Sequence, residues 1–365
     1  MYINKDLHTC LKVNLGNLKC NFNYYKGIIS KKTKLLCMIK AEAYGMGMLK
    51  VAQELVKINV NFLGVAFTNE GKFLRQNNIS SPILVMNALR CFEDIVEYKL
   101  TPVIFTPSQL ENLDKYLKTN NITAFPVHIK INTGMNRLGV DDKQINNLLS
   151  ILYGNKNIKI EGICSHLSAS EDKTEDQFTI NQIKSFEKIS KKIENKLKHK
   201  TIKHILNTSG IERFSNYQFD MVRLGLGLYG VSNFSKLKPV ANFIATISQI
   251  KTINKGDSVG YSRNFIAKKK MKIGIIPVGY ADGYHRSLSN GKGKVFVCGK
   301  YVSTLGIVSM DMVIIDLTSV DNVKIGDEVE LFGENHTIND MAKEMNTISY
   351  EVLTSVSNRV ERKYY

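Results

Sequence analysis

A lysine stands at the end of an unbroken apolar run near the start of the sequence. The run Leu35–Ile39 leads directly into Lys40, and Tyr44, Gly45 and Gly47 follow closely. An apolar run of this length predicts a strand buried on both faces, with Lys40 at its carboxyl end. Because lysine is rarely buried without a partner, Lys40 is either a surface residue or a chemical group. The two glycines favour close approach of the backbone to a ligand.

Apolar runs recur as far as about residue 230, and segments of helical spacing separate them. In Gln182–Leu197, apolar residues return every three or four positions on a lysine-rich background, which is typical of a helix packed on one face. Strands that alternate with helices in this way predict a (β/α)8 TIM barrel. The predicted strands are Leu35–Ile39, Phe62–Phe67, Ile83–Met86, Val103–Phe105, Val127–Ile131, Ile158–Cys164, Ile205–Leu206 with its neighbours, and Met221–Leu224.

The pattern changes after about Val240. Short strand signals crowd together there, with turn residues between them and few helical patterns before Ile338–Met345. This arrangement predicts a mainly antiparallel β domain after the barrel. We therefore expect two domains, residues 1–238 and 239–365. The first ten or so residues could belong to either domain. Since no low-complexity linker separates the halves, we expect them to pack firmly.

Composition narrows the possible classes of protein. The 365 residues carry a net charge of +17, which could mark a nucleic-acid binder, but the lysines are spread out and no nucleic-acid motif accompanies them. The six cysteines are scattered without a C-x-x-C pair, which favours a reduced cytosol and no metal site. Met1–Cys10 lacks the apolar segment of a signal peptide, and no stretch reaches the roughly 18 apolar residues of a membrane span. We expect a cytoplasmic protein with neither membrane nor nucleic acid as partner.

Polar residues follow several of the predicted strands, where a barrel places its active-site groups. Taken alone, His166 is more often a core or surface histidine than a catalytic one, and Arg137 is more often an exposed residue of a turn. A strand-to-helix turn explains the glycines after Arg223 but does not explain the arginine. The candidates at strand ends are Lys40, His128, Lys130, Asn132–Arg137, Ser165, His166, His204–Gly210 and Arg223–Gly227.

The segment Lys40–Gly45, KAEAYG, resembles the pyridoxal-phosphate lysine motif of the alanine racemases. Glu42 and Met46 depart from the family's usual Asn and His and leave the lysine intact. Further segments resemble family motifs, in family order as far as Tyr350. They are Asn132–Arg137 for D-T-G-M-x-R, His204–Gly210 for H-x-x-N-S, Val259–Ser262, Gly279–Tyr284, Ser309–Asp311 for C-M-D, and Ser349–Glu351.

The resemblance implies pyridoxal 5'-phosphate as cofactor, bound covalently by Lys40. The arginine that matches Arg223 faces the pyridine nitrogen, and His166 is bonded to that arginine and to a catalytic tyrosine. A fixed positive charge there disfavours protonation of the ring, which weakens the electron sink and limits side reactions. Thr208 matches the family serine, whose hydroxyl would bind phosphate beside amides at a helix start. The other cofactor-binding residues implied are Tyr44, Ser209, Gly225, Leu226 and Tyr350.

The resemblance also implies the reaction. Lys40 and Tyr261 would exchange the α-proton on opposite faces, Lys40 for D-alanine and Tyr261 for L-alanine, which suits inversion at one carbon. Arg137 would contact the substrate carboxylate with its two-donor fork. Lys130 matches a lysine that is carbamylated in some members. The residues implied to line the substrate site are Met310 and Asp311.

In the family, the tyrosine that matches Tyr261 comes from the partner subunit, so a head-to-tail homodimer with two shared sites is implied. We expect an enzyme of this family that interconverts L- and D-alanine and supplies D-alanine for peptidoglycan, and Tyr350 favours alanine over serine. The alternatives are a serine or broad-specificity racemase, a non-catalytic pyridoxal-phosphate carrier and a basic nucleic-acid binder. Non-catalytic pyridoxal-phosphate carriers resemble the barrel but lack the second domain, so the segment around Tyr261 argues against that alternative.

Overall fold

The structure is a computed structural model that describes residues 9–87 and 91–365. Residues 1–8 lie outside the described residues. The sequence predicted no signal peptide there and did not decide to which domain these residues belong. Over the described ranges, no helix is both long and apolar enough to cross a membrane.

Among the described residues, eight strands form one parallel sheet that closes on itself as a barrel. Their Val, Ile and Leu runs are buried because helices cover the outside and side chains fill the inside. The Asp220 N–H donates to the Lys203 carbonyl at 3.1 Å, and the Arg223 N–H to the Leu206 carbonyl at 3.0 Å, which joins the last two strands. After β1 (Thr9–Val13), the barrel strands are β2 (Lys34–Met38), β3 (Phe62–Val65), β4 (Ile83–Val85), β5 (Thr101–Ile104), β6 (Phe125–Lys130), β7 (Ile158–Cys164), β8 (Ile202–His204) and β9 (Met221–Leu224).

Helices around the barrel present an apolar stripe to the sheet. In the longest of them, Ile183, Phe186, Ile189 and Ile193 are buried, while most of its lysines face water. The helices of this half are α1 (Leu15–Ile28), α3 (Met48–Lys57), α4 (Thr68–Gln76), α5 (Phe92–Glu97), α6 (Pro107–Thr119), α7 (Asp142–Leu152), α8 (Asp176–Leu197) and α9 (Thr208–Arg213), with a short turn α2 (Lys40–Tyr44) after β2.

The predicted fold class is confirmed. Strands β7 and β9 have the predicted bounds, and the other barrel strands differ from the prediction by one or more residues; two of these differences bear on the site. β2 ends at Met38, so Lys40 follows the strand and opens the next turn. The seventh strand is Ile202–His204, and the predicted Ile205 and Leu206 come after it. Both of these residues are fully buried without belonging to the strand. These residues are apolar because they are buried at the barrel rim. In the sequence, a buried residue of this kind looks the same as a residue paired in the sheet.

In the part of the chain that the structure describes, β1 and strands after residue 240 form a nine-stranded sheet that is antiparallel except where β1 pairs with the last strand. The expected range 1–238 therefore includes a strand of the second sheet. The helical pattern Ile338–Met345 is helix α10, and α11 (Ser349–Ser355) follows it. The strands are β10 (Ala241–Thr246), β11 (Gln249–Ile253), β14 (Met271–Ile276), β15 (Lys294–Val297), β16 (Lys300–Leu305), β17 (Val313–Asp316), β18 (Glu328–Phe332) and β19 (Glu361–Tyr364), with a separate hairpin of β12 (Ser258–Val259) and β13 (Phe265–Ile266).

A buried histidine joins helix α10 to strand β18. Both ring nitrogens of His336 face acceptors, the Leu331 carbonyl at 2.7 Å and the Glu344 carboxylate at 3.3 Å. A neutral imidazole has one N–H, so satisfying both acceptors requires the charged form. Burial lowers the pKa of His336, but the bonds to Glu344 and Leu331 outweigh it and the pKa is raised.

We expect His336→Asn to destabilise the protein most at about pH 6, by about 2 kcal/mol, the value of a hydrogen bond to a charged group. A raised folded pKa contributes stability below the unfolded value, and that stability is lost as pH rises through the folded pKa. Denaturant unfolding of the native and variant chains should therefore converge toward alkaline pH. Exposed His285, replaced by Asn, is the control and should show no such trend. A destabilisation that grows with pH would contradict the charged assignment.

Candidate active site

Lys40 lies half-buried at the carboxyl-terminal rim of the barrel, directly after β2. Burial lowers the pKa of its amine, and the charge of Arg137 lowers it further, whereas the carboxylate of Glu70 raises it in part. The net direction is down, so the amine loses its proton more readily than a lysine in water. An amine of this kind can act as a nucleophile or as a base.

The turn after Lys40 has an uncommon backbone. Ala41, Glu42, Ala43 and Tyr44 all have positive φ, between 51° and 56°. For a residue with a side chain this left-handed conformation costs roughly 1–2 kcal/mol. Such a run persists only where neighbouring contacts hold it, and runs of this kind cluster at functional sites. Gly45 ends the turn at φ 84°, where a Cβ would stand 2.5 Å from the Leu353 carbonyl oxygen.

Three tyrosine rings pack against one another beside this turn. The ring of Tyr44 is stacked on Tyr229, with centroids 4.7 Å apart, and lies 5.9 Å from that of Tyr350. The Tyr229 hydroxyl donates to the Met38 carbonyl at 2.8 Å, which anchors the stack to β2. Since Tyr350 belongs to α11, the stack also connects the barrel to the second half of the chain.

A cavity of about 510 Å³ opens beside these rings, between the barrel rim and helices α10 and α11. It brings together five of the residues that the sequence assigned to the cofactor. They are His166, Thr208, Ser209, Leu226 and Tyr350.

Thr208 stands at the start of helix α9 with its hydroxyl in a defined role. Its Oγ1 accepts hydrogen bonds from the Gly225 amide at 3.1 Å and the Gly227 amide at 3.3 Å. With both lone pairs used, the hydroxyl hydrogen remains to donate toward the cavity. The Gly225 amide, which the sequence assigned to phosphate, is therefore engaged by Thr208 here. The Asn207 side chain caps the helix by accepting from the Gly210 amide at 3.0 Å.

Arg223 lies at the bottom of the site and is 3% exposed. Its guanidinium donates to the carbonyls of Ser165 at 2.6 Å and Ile205 at 3.0 Å. It also contacts His204 Nδ1 at 2.8 Å and His166 Nδ1 at 3.0 Å. Burial lowers the pKa of Arg223, but guanidinium remains charged in proteins, so a fixed cation stands here.

The contacts of Arg223 determine which nitrogen of each histidine carries the proton. A guanidinium only donates, so His166 and His204 must accept at Nδ1 and carry hydrogen on Nε2. His204 Nε2–H then donates to His128 Nδ1, 2.9 Å away. His128 in turn carries hydrogen on Nε2, a buried atom with no hydrogen-bond partner among the described residues and 4.0 Å from the Glu161 carboxylate.

Burial and the charge of Arg223 lower the pKa of all three histidines, that of His128 to about 3. They are therefore neutral at physiological pH, and the charge of the cluster is that of the arginine. Besides the buried Nε2–H of His128, the Nε2–H of His166 is a donor that this chain of hydrogen bonds does not use. The sequence singled out all three histidines, but only the fold shows that they share one arginine.

The loop that carries Arg137 is built around Asn132. Its side-chain oxygen accepts from the Gly134 and Asn136 amides, each at 3.1 Å, and its NH2 donates to Asp141 at 2.8 Å. The family's usual aspartate could not make the last bond, because a carboxylate does not donate. The guanidinium of Arg137 is exposed at the rim and forms no ion pair within the described ranges.

Lys130 ends strand β6 and is 6% exposed. Burial lowers the pKa of its amine, and although the neighbouring Cys164 opposes this, the charges of Arg223, Arg137 and Lys40 lower it further. No carboxylate pairs with Lys130 in the described part of the chain. An unpaired buried lysine favours the neutral amine.

The second half of the chain supplies residues that stand apart from this cluster. Tyr261 lies on the turn between β12 and β13 and is 69% exposed. No hydrogen bond joins it to Lys40 within the described residues of one chain. Met310 is half exposed, and Asp311 pairs with Arg359 at 2.7 Å. Gly279, in the motif that the sequence singled out, lies against the Met310 carbonyl, where a Cβ would come within 2.2 Å.

Arg359 is a residue that the sequence did not reveal. Besides Asp311, it binds both oxygens of Asp282, at 2.6 and 2.9 Å. It therefore holds two motif segments in one arrangement. Its partners are 77 and 48 residues away in the sequence, so no local pattern could have linked them.

Comparison with known proteins places most of the chain in one family. The family described as alanine racemase, N-terminal domain, matches residues 13–233, and the family described as alanine racemase, C-terminal domain, matches residues 240–364. The chain belongs to the alanine racemase family. A relative named alanine racemase from Thermodesulfovibrio yellowstonii is 40% identical over 360 residues, which cover 97% of this chain and 96% of the relative.

Solved structures of alanine racemases share the fold. The alanine racemase of Clostridium difficile 630 is 31% identical, with a TM-score of 0.92 over 98% of this chain and 96% of that one. The alanine racemase of Bartonella henselae, solved with covalently bound pyridoxal phosphate, is 28% identical, with a TM-score of 0.87 over 98% of this chain and 99% of that one.

Proposed function

We propose that this alanine racemase family member binds pyridoxal 5'-phosphate through Lys40 and interconverts L- and D-alanine, with Lys40 and Tyr261 as the two bases. The observation that carries the proposal is the cluster at the rim. It combines an amine of lowered pKa, a fixed arginine cation and a cavity of about 510 Å³ with free hydroxyl donors. A chiral assay of purified protein with added cofactor on alanine, serine and lysine tests the activity and its breadth.

The residues present fit the cofactor. A phosphate needs donors, and Thr208 offers its hydroxyl hydrogen while Ser209 lines the same cavity at the start of α9. The ring of Tyr350 lines the cavity and is backed by that of Tyr44, 5.9 Å away, and such an aromatic surface suits a planar ring. Arg223 supplies a cation that no carboxylate neutralises within the described residues, so it can face a ring nitrogen that stays unprotonated.

Bound pyridoxal phosphate supplies the electron sink that makes the α-hydrogen of an amino acid acidic. Lys40 exchanges the proton on the face that gives D-alanine, because its lowered pKa leaves the amine free to accept one. Tyr261 exchanges it on the other face, for L-alanine. A phenol with a pKa near ~10 is a poor base unless its anion is stabilised, and the Nε2–H of His166 is available to donate to that oxygen. Arg137 orients the substrate carboxylate.

Arg223 determines how strong the electron sink is. It has five hydrogen bonds in the interior, to carbonyls and to histidines that are held neutral. Its cation would disfavour protonation of a pyridine nitrogen placed beside it. The electron sink would then be weaker, which would limit transamination and related side reactions.

The exposure of Tyr261 supports a homodimer with shared active sites. A catalytic phenol that stands 69% in water within one chain needs a second chain to reach a cofactor. Adjacent loops carry three more exposed hydrophobic side chains, Tyr280, Met310 and Met312. A group of this kind marks a protein interface.

Finer assignments belong to the same proposal. Tyr350 narrows the cavity, which favours alanine over serine, and Met310 and Asp311 complete the substrate site. Lys130, as a neutral buried amine, can take up CO2 to form a carbamate whose charge would pair with Arg137. We assign the cofactor to residues 1–238 and the Tyr261 segment to 239–365, and we place the enzyme in the cytoplasm, supplying D-alanine for peptidoglycan.

We expect Thr208→Val to weaken pyridoxal phosphate binding by about 10- to 100-fold, the effect of losing a hydrogen bond to a charged group. The valine keeps the shape but removes both the donor to phosphate and the acceptor for two glycine amides. Titrating cofactor-free protein with pyridoxal phosphate measures the dissociation constant. Thr208→Ser, which keeps the hydroxyl, is the control and should bind nearly as the native chain does. Equal affinities for the valine and serine variants would remove Thr208 from the phosphate site.

A further inference from the structure

Glu70 makes an unusual set of contacts beside Lys40. One carboxylate oxygen accepts from the Ala41 amide at 2.7 Å, and the other accepts from the Ala66 amide at 2.6 Å and the Phe67 amide at 3.1 Å. It is the third residue of helix α4, so its position is fixed by that helix. Glu70 therefore connects the end of strand β3 to the first peptide after the lysine.

The Ala41 amide is where the left-handed turn begins. The run of positive φ starts at Ala41 and continues through Tyr44. At its far end, the Gly45 carbonyl accepts from the Arg362 guanidinium at 3.0 Å. Between these two anchors the bonds are local, such as the Gly45 amide to the Ala41 carbonyl at 3.0 Å. Glu70 thus holds the beginning of the turn that follows Lys40.

The unit formed by β5 and α6 contains a simpler contact between a helical side chain and a strand end. On α6, Gln109 is also the third helical residue, and its side-chain oxygen accepts from the Phe105 amide four residues earlier at 3.0 Å. Glu70 bonds to Ala66 at the same spacing. The side-chain amide of a glutamine is therefore sufficient where the helix binds only the end of its own strand. The second acceptor oxygen of Glu70 is additional, and it is the one that binds Ala41.

We infer that Glu70 is a positioning residue for Lys40, and that its second carboxylate oxygen holds the left-handed turn in the conformation that directs the lysine amine into the cofactor cavity. The inference rests on the proposed role of Lys40. A carboxylate suits three N–H donors because both of its oxygens accept, whereas a glutamine must turn its NH2 toward one of them. The negative charge also opposes the fall in the Lys40 pKa.

The test compares Glu70→Gln and Glu70→Ala with Gln109→Ala as matched control, all in the full chain without cofactor. Hydrogen exchange of the amides in residues 41–45 is measured first. We expect it to accelerate about tenfold or more in both Glu70 variants, the effect of losing a hydrogen bond to a charged group, and to stay native in the control. Pyridoxal phosphate affinity, from titration of the same proteins, should fall about tenfold or more for the Glu70 variants alone.

Exchange and cofactor affinity that remain native in Glu70→Gln would overturn the inference. It would equally fail if Gln109→Ala accelerated exchange in residues 41–45 as much as the Glu70 variants do. Thermal unfolding identifies variants that do not fold, and Glu70→Gln, the nearest in shape, decides the question if Glu70→Ala is one of them. The hydrogen-exchange result does not depend on racemisation. If the native chain proved inactive, the proposed function would be refuted, but hydrogen exchange would still test whether Glu70 holds the turn.

Discussion

Replacing Lys40 with alanine is expected to abolish racemisation of alanine, with a loss of at least ~10⁴-fold, because the variant lacks both a general base and the covalent attachment of the cofactor. The yellow colour of the protein with bound cofactor should disappear as well. Strand β2 and the left-handed turn do not depend on the amine, so the fold should persist. Chiral analysis of the product and the visible absorption spectrum measure the two effects separately.

An exposed lysine provides the control for this change. Lys50 lies on the outer face of α3, and Lys50→Ala should retain both colour and activity. Cofactor colour together with racemisation in Lys40→Ala would refute the assignment of Lys40. Colour lost from both variants would point to a general defect in folding, which thermal unfolding would detect.

Mixing two inactive variants is expected to restore activity if the sites are shared between subunits. In a mixed dimer of Lys40→Ala and Tyr261→Phe, one site receives both altered residues and the other receives neither. Random assembly of equal amounts makes half of the dimers mixed, so about a quarter of all sites become intact. Co-expression with two different affinity tags, followed by sequential purification, isolates the mixed dimer for the chiral assay.

The outcome separates two arrangements that a single chain leaves open. If Tyr261 serves the site of its own subunit, each site in the mixed dimer carries one altered residue and no activity returns. Phenylalanine is chosen at residue 261 because it keeps the exposed ring that the proposed interface would bury. Each variant mixed with itself is the control and should remain inactive.

The barrel was predictable because its strands are buried on both faces. Runs such as Ile158–Cys164 and Met221–Leu224 are apolar throughout, and the structure places strands at the same residues. The prediction shifted at Ile205–Leu206, where burial without sheet pairing gives the same pattern. The (β/α)8 alternation then placed Lys40, His166, Thr208 and Arg223 near one rim, since parallel strands end together.

The contacts that organise the site could not be predicted from single segments. The positive φ of Ala41 and Ala43 contradicts their residue type, because alanine favours a right-handed helix, and it results from anchors elsewhere in the chain. Glu70 appears in the sequence as an ordinary residue near a helix start. Arg359 appears as an exposed charge close to the last strand. Each acquires its role from partners that only the three-dimensional fold brings near.

The bond between Arg362 and the Gly45 carbonyl spans 317 positions of sequence. A ribosome makes the barrel first and this arginine much later. The turn that follows Lys40 therefore lacks one of its two anchors until translation has passed strand β19. Under the proposed function, we therefore expect pyridoxal phosphate to be loaded late in synthesis, and a barrel that is still being synthesised should bind it poorly.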